Sequence, residues 1–254
     1  MKLFRMMLLI ALSADLVTTA AADHRQQLFE QGNQAFQKGD YAQAVASFEE
    51  IHRLGFESAA LYYNLGNAYY KLGQNARAIL NYERALRLQP NDEDLRFNLQ
   101  LANLTVVDKI PVLPELFYIR YFQDFRALFG LRTLTAFTLC LYLFFFIALI
   151  SWLLLPAARL RRFALSAGVV LAVLLMIFSF TMVSKILFLR HNVEAVVMSA
   201  KVDVRSAPSA DGTEIFTIHE GLKVKISNRN GGWYEIRLPD GKVGWLLAKE
   251  IEVI

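Results

Sequence analysis

Four residue pairs recur at one spacing: Gly32 and Gly66, Gly39 and Gly73, Ala44 and Ala78, and Phe48 and Tyr82 each stand 34 residues apart. A fixed period of that length marks a helix pair that cannot bury its apolar face alone and so stacks on its neighbour. Two such units, residues 25–58 and 59–92, are expected, each a helix, a short turn at Gly39 or Gly73, and a second helix. Gly32, Gly66, Ala44 and Ala78 stand where paired helices cross closely, and Phe48 and Tyr82 fill the space between them. Pro90 stops the second unit, because its ring cannot continue the hydrogen-bond ladder. Asn91 or Asp92 then caps a further helix, roughly Glu93 to Val106, whose Glu93 and Asp94 suit the positive end of the helix dipole. That helix covers the open face of the last unit and completes an all-α array over residues 25–106.

The second unit carries Tyr62, Leu65, Gly66, Tyr69, Gly73, Ala78, Tyr82, Ala85 and Pro90, and these positions resemble the tetratricopeptide repeat. The resemblance implies a binding module that holds another polypeptide in a groove. The groove candidates on the first helix of each unit are Phe29, Asn33, Phe36, Tyr63, Asn64, Asn67 and Tyr70. Asparagine amides can pair with the polar backbone of an extended peptide while the rings cover its apolar side chains. The same rings can instead serve packing alone. In the variant of the family that clamps a C-terminal carboxylate, Asn33 and Asn64 match the two asparagines, but Phe29, Asp94 and Asn98 stand where basic residues belong. Capture of a carboxylate terminus is therefore not expected.

A hydrophobic share of 55% is high for a purely soluble chain. Two charge-free apolar runs, residues 133–155 and 163–184, are each long enough to cross a hydrocarbon core of roughly 30 Å. The turn between them, residues 156–162, holds Arg159, Arg161 and Arg162, which places it in the cytoplasm and both chain ends outside. The formal charge of +4 comes from this region, since residues 109–192 hold nine basic residues against two acidic ones. Neither water-facing part carries the basic stripe that a phosphate backbone requires, which excludes nucleic acid as a partner. Uncharged spans also argue against a channel or transporter. Before the spans, residues 111–132 place Phe117, Tyr118, Tyr121, Phe122, Phe125, Leu128 and Phe129 at three- and four-residue steps. Such a helix suits the headgroup layer of the bilayer, the alternative being an extra core helix under the repeats. Ala164, Gly168 and Ala172 form a small-residue stripe for close helix packing, against either the first span or another protein. Lys185 and Arg190 are expected to extend toward headgroups. Residues 1–22 read as a signal peptide, with Lys2 and Arg5 before an apolar stretch and Ala20 to Ala22 before Asp23; an uncleaved anchor is the alternative.

From Val193 to Ile254 the pattern changes to short β runs: 195–197, 202–205, 223–227, 233–238, 244–246 and 251–254, separated by Gly-, Pro- and Asn-containing turns. These six runs suit a small closed barrel. The segments Val202 to Pro208, Gly231-Gly232-Trp233-Tyr234 and Asp240 to Trp245 resemble bacterial SH3-like domains. Trp233 and Trp245, with Tyr234 and Arg237, form the candidate ligand face, suited to a glycan or a proline-rich peptide. Core filling is the alternative for the two indoles.

The whole order is thus a multidomain membrane protein: an all-α tetratricopeptide helical array, a two-helix transmembrane hairpin and an all-β SH3-like barrel. With the junction motifs Asp94 to Leu99, Ala102-Asn103 and Pro114 to Phe117, it resembles the BatE family of the Bacteroides aerotolerance operon. That resemblance implies a membrane-anchored periplasmic protein working with other Bat proteins, von Willebrand A type members among them, and with a MoxR-type ATPase. Peptidoglycan and membrane lipid are the remaining expected partners.

Catalytic signals are faint. His24, His52, His191 and His219 are scattered over separate segments, without metal spacing or a nucleophile elbow. A single cysteine, Cys140, lies in an apolar run and allows no intramolecular disulfide. The expectation is a non-enzymatic protein with no cofactor and no metal.

Overall fold

The computed structural model describes residues 23–111 and 116–254. The signal segment 1–22, and Pro114 and Glu115 of the junction motif, lie outside the described residues. The chain divides into two compact units: one runs through Ile110 and resumes over Glu194–Leu238 and Lys242–Ile254, and the other comprises Pro111–Val193 with Pro239–Gly241.

In the first unit, α1 (23–37), α2 (Tyr41–Arg53), α3 (Ala59–Lys71), α4 (Asn75–Leu88) and α5 (Glu93–Asn103) form the helical array. Side-chain caps set three of the starts. Asp40 accepts from the Gln43 amide at 3.1 Å, Ser58 from Leu61 at 3.1 Å, and Asp92, rather than Asn91, from Leu95 at 3.0 Å. A Cβ added at Gly32 would lie 2.5 Å from the Phe48 ring, and one at Gly66 would lie 2.6 Å from the Tyr82 ring. The 34-residue recurrence of these pairs is therefore a packing requirement: each glycine lets a buried ring sit against the backbone of the facing helix. α4 is buried more nearly all round than α2, since Ile79, Leu80 and Asn81 are covered in addition to Ala78, Tyr82 and Ala85. A helix covered on more than one side has a second neighbour.

That neighbour is the C-terminal sheet: β1 (Val193–Val197), β2 (Lys201–Arg205), β3 (Glu214–His219), β4 (Lys223–Asn230), β5 (Trp233–Arg237), β6 (Val243–Leu247) and β7 (Ile251–Val253). The strand order is β3-β2-β6-β5-β4-β1-β7. Because β3 pairs with β2 and β7 with β1, each on one side only, the ring of strands expected as closed is open there. The strand missed in the sequence is β3. It lies at an edge, only Ile218 is buried in it and Ile215 is exposed, so it lacks the alternation that betrays a half-buried strand. The inner face carries Val202, Val204, Val224, Ile226, Ile236 and Leu246, all nearly inaccessible.

The second unit contains α6 (Phe117–Leu128), α7 (Leu131–Leu154) and α8 (Ala158–His191). α7 and α8 are long and apolar enough to cross a membrane. The expected seven-residue turn is shorter: only residues 155–157 leave the helices, and Arg159, Arg161 and Arg162 begin α8. Pro156 interrupts the hydrogen-bond ladder, whereas arginine is a good helix former and need not wait for a loop to end. At its other end α8 continues past Ser184 almost to β1. Lys185 does not extend away from the protein. Its ammonium donates to the carbonyls of Arg126, at 3.0 Å, and of Phe129, capping the C-terminal end of α6.

Candidate functional site

The groove candidates lie on α1 and α3, and the array ties several of them together. Asn64 donates to Asn33 at 2.9 Å, linking the two helices. Asn98 of α5 donates to the Tyr63 hydroxyl at 3.0 Å and approaches the Asn67 carbonyl oxygen at 3.4 Å, while the Tyr82 hydroxyl donates to that same oxygen at 2.7 Å. A row of amides thus runs from α1 through α3 to α5. Each amide still has donor or acceptor capacity beyond these bonds, the combination a peptide backbone needs. Phe29 and Phe36 are set apart from that row: Phe29 meets the buried Phe48 edge-on at 5.6 Å, and Phe36 meets Tyr41 at 5.2 Å. Tyr70 is half-buried on α3. Asn98 joins this row of amides although it is not among the groove candidates. Its signal was its place one period beyond Asn64, on a third helix of the same array.

The phenols around this array hold their protons. Burial, then the hydrogen bond to Glu49 at 2.7 Å, pushes Tyr69 up to about 12. Burial, then Glu57, does the same for Tyr62, and burial raises Tyr82 further. They act as hydrogen-bond donors rather than bases.

On the sheet the register sorts the candidate face. Trp233 lies opposite Leu247, Glu235 opposite Trp245, and Arg237 opposite Val243, so the two indoles and Arg237 share the outer face. Both indoles are half-buried there rather than filling the core. Tyr234, also half-buried, lies on the other side of the strand, opposite the fully buried Leu246 and with the Arg229 guanidinium 5.1 Å over its ring. Adjacent residues of a strand point to opposite faces, so the run Trp233-Tyr234 cannot serve as one surface.

The array and the sheet meet through charged and apolar contacts that no sequence motif announces. Lys223 of β4 sits 2.9 Å from Glu83 of α4 and 2.9 Å from Glu194 of β1. Burial alone pulls its pKa down, but the two carboxylates outweigh burial and hold it above the ordinary lysine value. Arg84 bonds Glu252 at 3.0 Å and the Val253 carbonyl at 2.9 Å, and Arg87 donates to the Ile254 carbonyl. Asp108 accepts from the His219 backbone amide at 2.6 Å and lies 3.0 Å from the His219 ring nitrogen. His219 is half-buried and is thus part of the contact. At its centre, a Cβ on Gly221 would stand 3.0 Å from Val106 and 3.1 Å from Ile79.

Residues 200–252 match the bacterial SH3 domain, and residues 59–92 match the tetratricopeptide repeat. A search of curated proteins finds no match to the chain. Tetratricopeptide repeats are interaction modules, and bacterial SH3 domains are associated with the cell wall. Among the described residues no group of three or more His, Cys, Asp or Glu side chains is placed to hold a metal ion.

In the second unit the small-residue stripe faces the first span. A Cβ on Gly168 would lie 3.9 Å from the Ala148 Cβ of α7, and Ala164 is buried. Together with Ala172 they border an apolar gap of about 160 Å3 between the two helices. α6 also packs on the hairpin, with Phe122 5.9 Å from Phe180, and Phe129 6.2 Å from Phe137 and 6.1 Å from Phe178. Phe117, Tyr118 and Tyr121 of α6 remain exposed.

Proposed function

We propose that the chain is a non-enzymatic scaffold of the bacterial inner membrane, anchored by the α7–α8 hairpin, with repeats and SH3-like sheet both periplasmic. One observation carries this reading: the repeats pack on the sheet. Two modules joined by the Lys223–Glu83 and Arg84–Glu252 pairs must lie on one side of a bilayer, so the chain between Ile110 and Glu194 crosses it an even number of times. Two apolar helices supply that number. Arg159, Arg161 and Arg162 at the tip of the hairpin favour the cytoplasm for the tip, which leaves the periplasm for both modules. The exposed rings of α6 suit the headgroup layer.

The amide row of the repeats holds a peptide or helix from a partner, for which the Bat-type envelope proteins, von Willebrand A type members included, and the MoxR-type ATPase system are the candidates. Asn33→Ala/Asn67→Ala in the full chain, purified from detergent, is expected to lose at least one co-purifying protein while remaining folded and inserted. Retention of every partner would remove the groove from the proposal.

A second reading is favoured by the outer face of the sheet, where Trp233 and Trp245 stand half-buried on one side with Arg237. Indole faces of this kind stack on sugars, so the domain acts as a peptidoglycan-binding envelope sensor. Full-length protein in detergent should sediment with isolated sacculi, and Trp233→Ala/Trp245→Ala should not. Equal sedimentation of the two excludes the indole face.

A further inference from the structure

Between the outer side of the repeats and the end of the sheet lies a cleft of about 770 Å3. Arg77, Leu80 and Arg84 line one wall, and Lys249, Ile251 and Glu252 line the other. None of the amide row borders it, so it is distinct from the groove proposed above.

β7 closes one end of the sheet, and its pairing shows which way its backbone points. Val196 lies opposite Glu252, the Met198 amide donates to the Glu250 carbonyl at 2.8 Å, and the Ile254 amide donates to the Glu194 carbonyl at 3.0 Å. In an antiparallel ladder alternate residues exchange both backbone bonds with the neighbour strand. Glu250, Glu252 and Ile254 are those residues, so Ile251 and Val253 turn their N–H and C=O away from β1. Of the outward groups Arg84 takes the Val253 carbonyl, and Arg87 reaches the Ile254 carbonyl just beyond it. Such basic caps block an edge strand from further pairing. They stop short of Ile251, whose outward backbone has no strand partner among the described residues and which itself lines the cleft.

The charges of the walls narrow the occupant. Arg77, which lies 5.4 Å over the Tyr69 ring, Arg84 and Lys249 face the same space as Glu49, Glu220 and Glu252. A polyanion would meet three carboxylates there, and a polycation three bases. An extended peptide avoids both penalties, because its side chains alternate in direction and can carry both signs.

We propose that this cleft binds an extended peptide segment of another protein, which adds a strand to β7 at Ile251 and presents acidic and basic side chains to Arg77, Lys249 and Glu220. Because its walls come from both modules, the site exists only while the repeats are docked on the sheet, and its occupant holds the two as one body.

The test uses the full chain in detergent micelles and a pool of acetylated, amidated seven-residue synthetic peptides that alternate Val or Thr with Asp, Glu, Lys or Arg. Fluorescence polarisation should find binders, and hydrogen exchange should slow by about tenfold or more over residues 250–254 when they bind. Arg77→Glu/Lys249→Glu should weaken those binders by about tenfold or more. Should that variant fold poorly, Arg77→Gln/Lys249→Gln should give a smaller loss in the same direction. The same peptides N-methylated at alternate amides should not bind. The proposal is overturned if no member of the pool binds, if protection falls on α1, α3 and α5 instead, or if N-methylation leaves affinity unchanged.

Discussion

Gly66 shows how much of the repeat rests on one missing methyl group. Its Cα faces the Tyr82 ring, and the nearest ring atoms lie 2.6 Å from where a Cβ would stand. Tyr82 cannot retreat, because its hydroxyl is held by Asn67 at 2.7 Å and it is 2% exposed. Gly66→Ala should therefore destabilise the full chain by about 1–3 kcal/mol through overpacking, seen as a lower urea midpoint with an unchanged slope. An unchanged midpoint would mean that helices α3 and α4 can separate without loss. The glycine, its ring partner and the period joining both copies were legible in the chain, because close approach of two helices demands a small residue at a fixed turn. What Asn67 does was only half legible. The residue type announced hydrogen bonding, but its partners Tyr82 and Asn98 sit on two other helices, and only the stacking of α3 on α4 and α5 brings them together.

At the level of elements, strong periodicity served the helices well and failed where burial is one-sided. α7 and α8 are evident as apolar runs, yet the arginines between them suggest a loop, since charge and helix breaking look alike in a sequence that turns back on itself. In the structure three residues suffice for the turn. β3 was invisible for the converse reason: an edge strand with one buried residue has little pattern to detect. α4 carried an unread signal. At positions one period apart, Ala46 of α2 is exposed and Leu80 of α4 is buried. An apolar residue on the outward side of the second unit implies a cover that the first unit lacks.

For the whole molecule the decisive contact is Lys223 between Glu83 and Glu194, because it ties the repeats to a sheet that follows two apolar helices in the chain. The ammonium is about one-third exposed, so the pair contributes modestly to stability, and its value lies in fixing which surfaces meet. Glu83→Cys/Lys223→Cys in a Cys140→Ser background should be joined by a short bismaleimide in intact cells, read as altered mobility after cleavage between the modules. Absence of the product, with both thiols reactive, would place the modules apart and undo the proposed shared-side topology. The chain by itself determined its elements: the helix pairs, the two long apolar helices and most strands, because these depend on periods of two, 3.6 and 34 residues read along a short stretch. Only the tertiary structure decided that the repeats and the sheet form one body with a cleft between them. Glu83 and Lys223 are 140 positions apart, and no local pattern of charge says which distant surface will neutralise it.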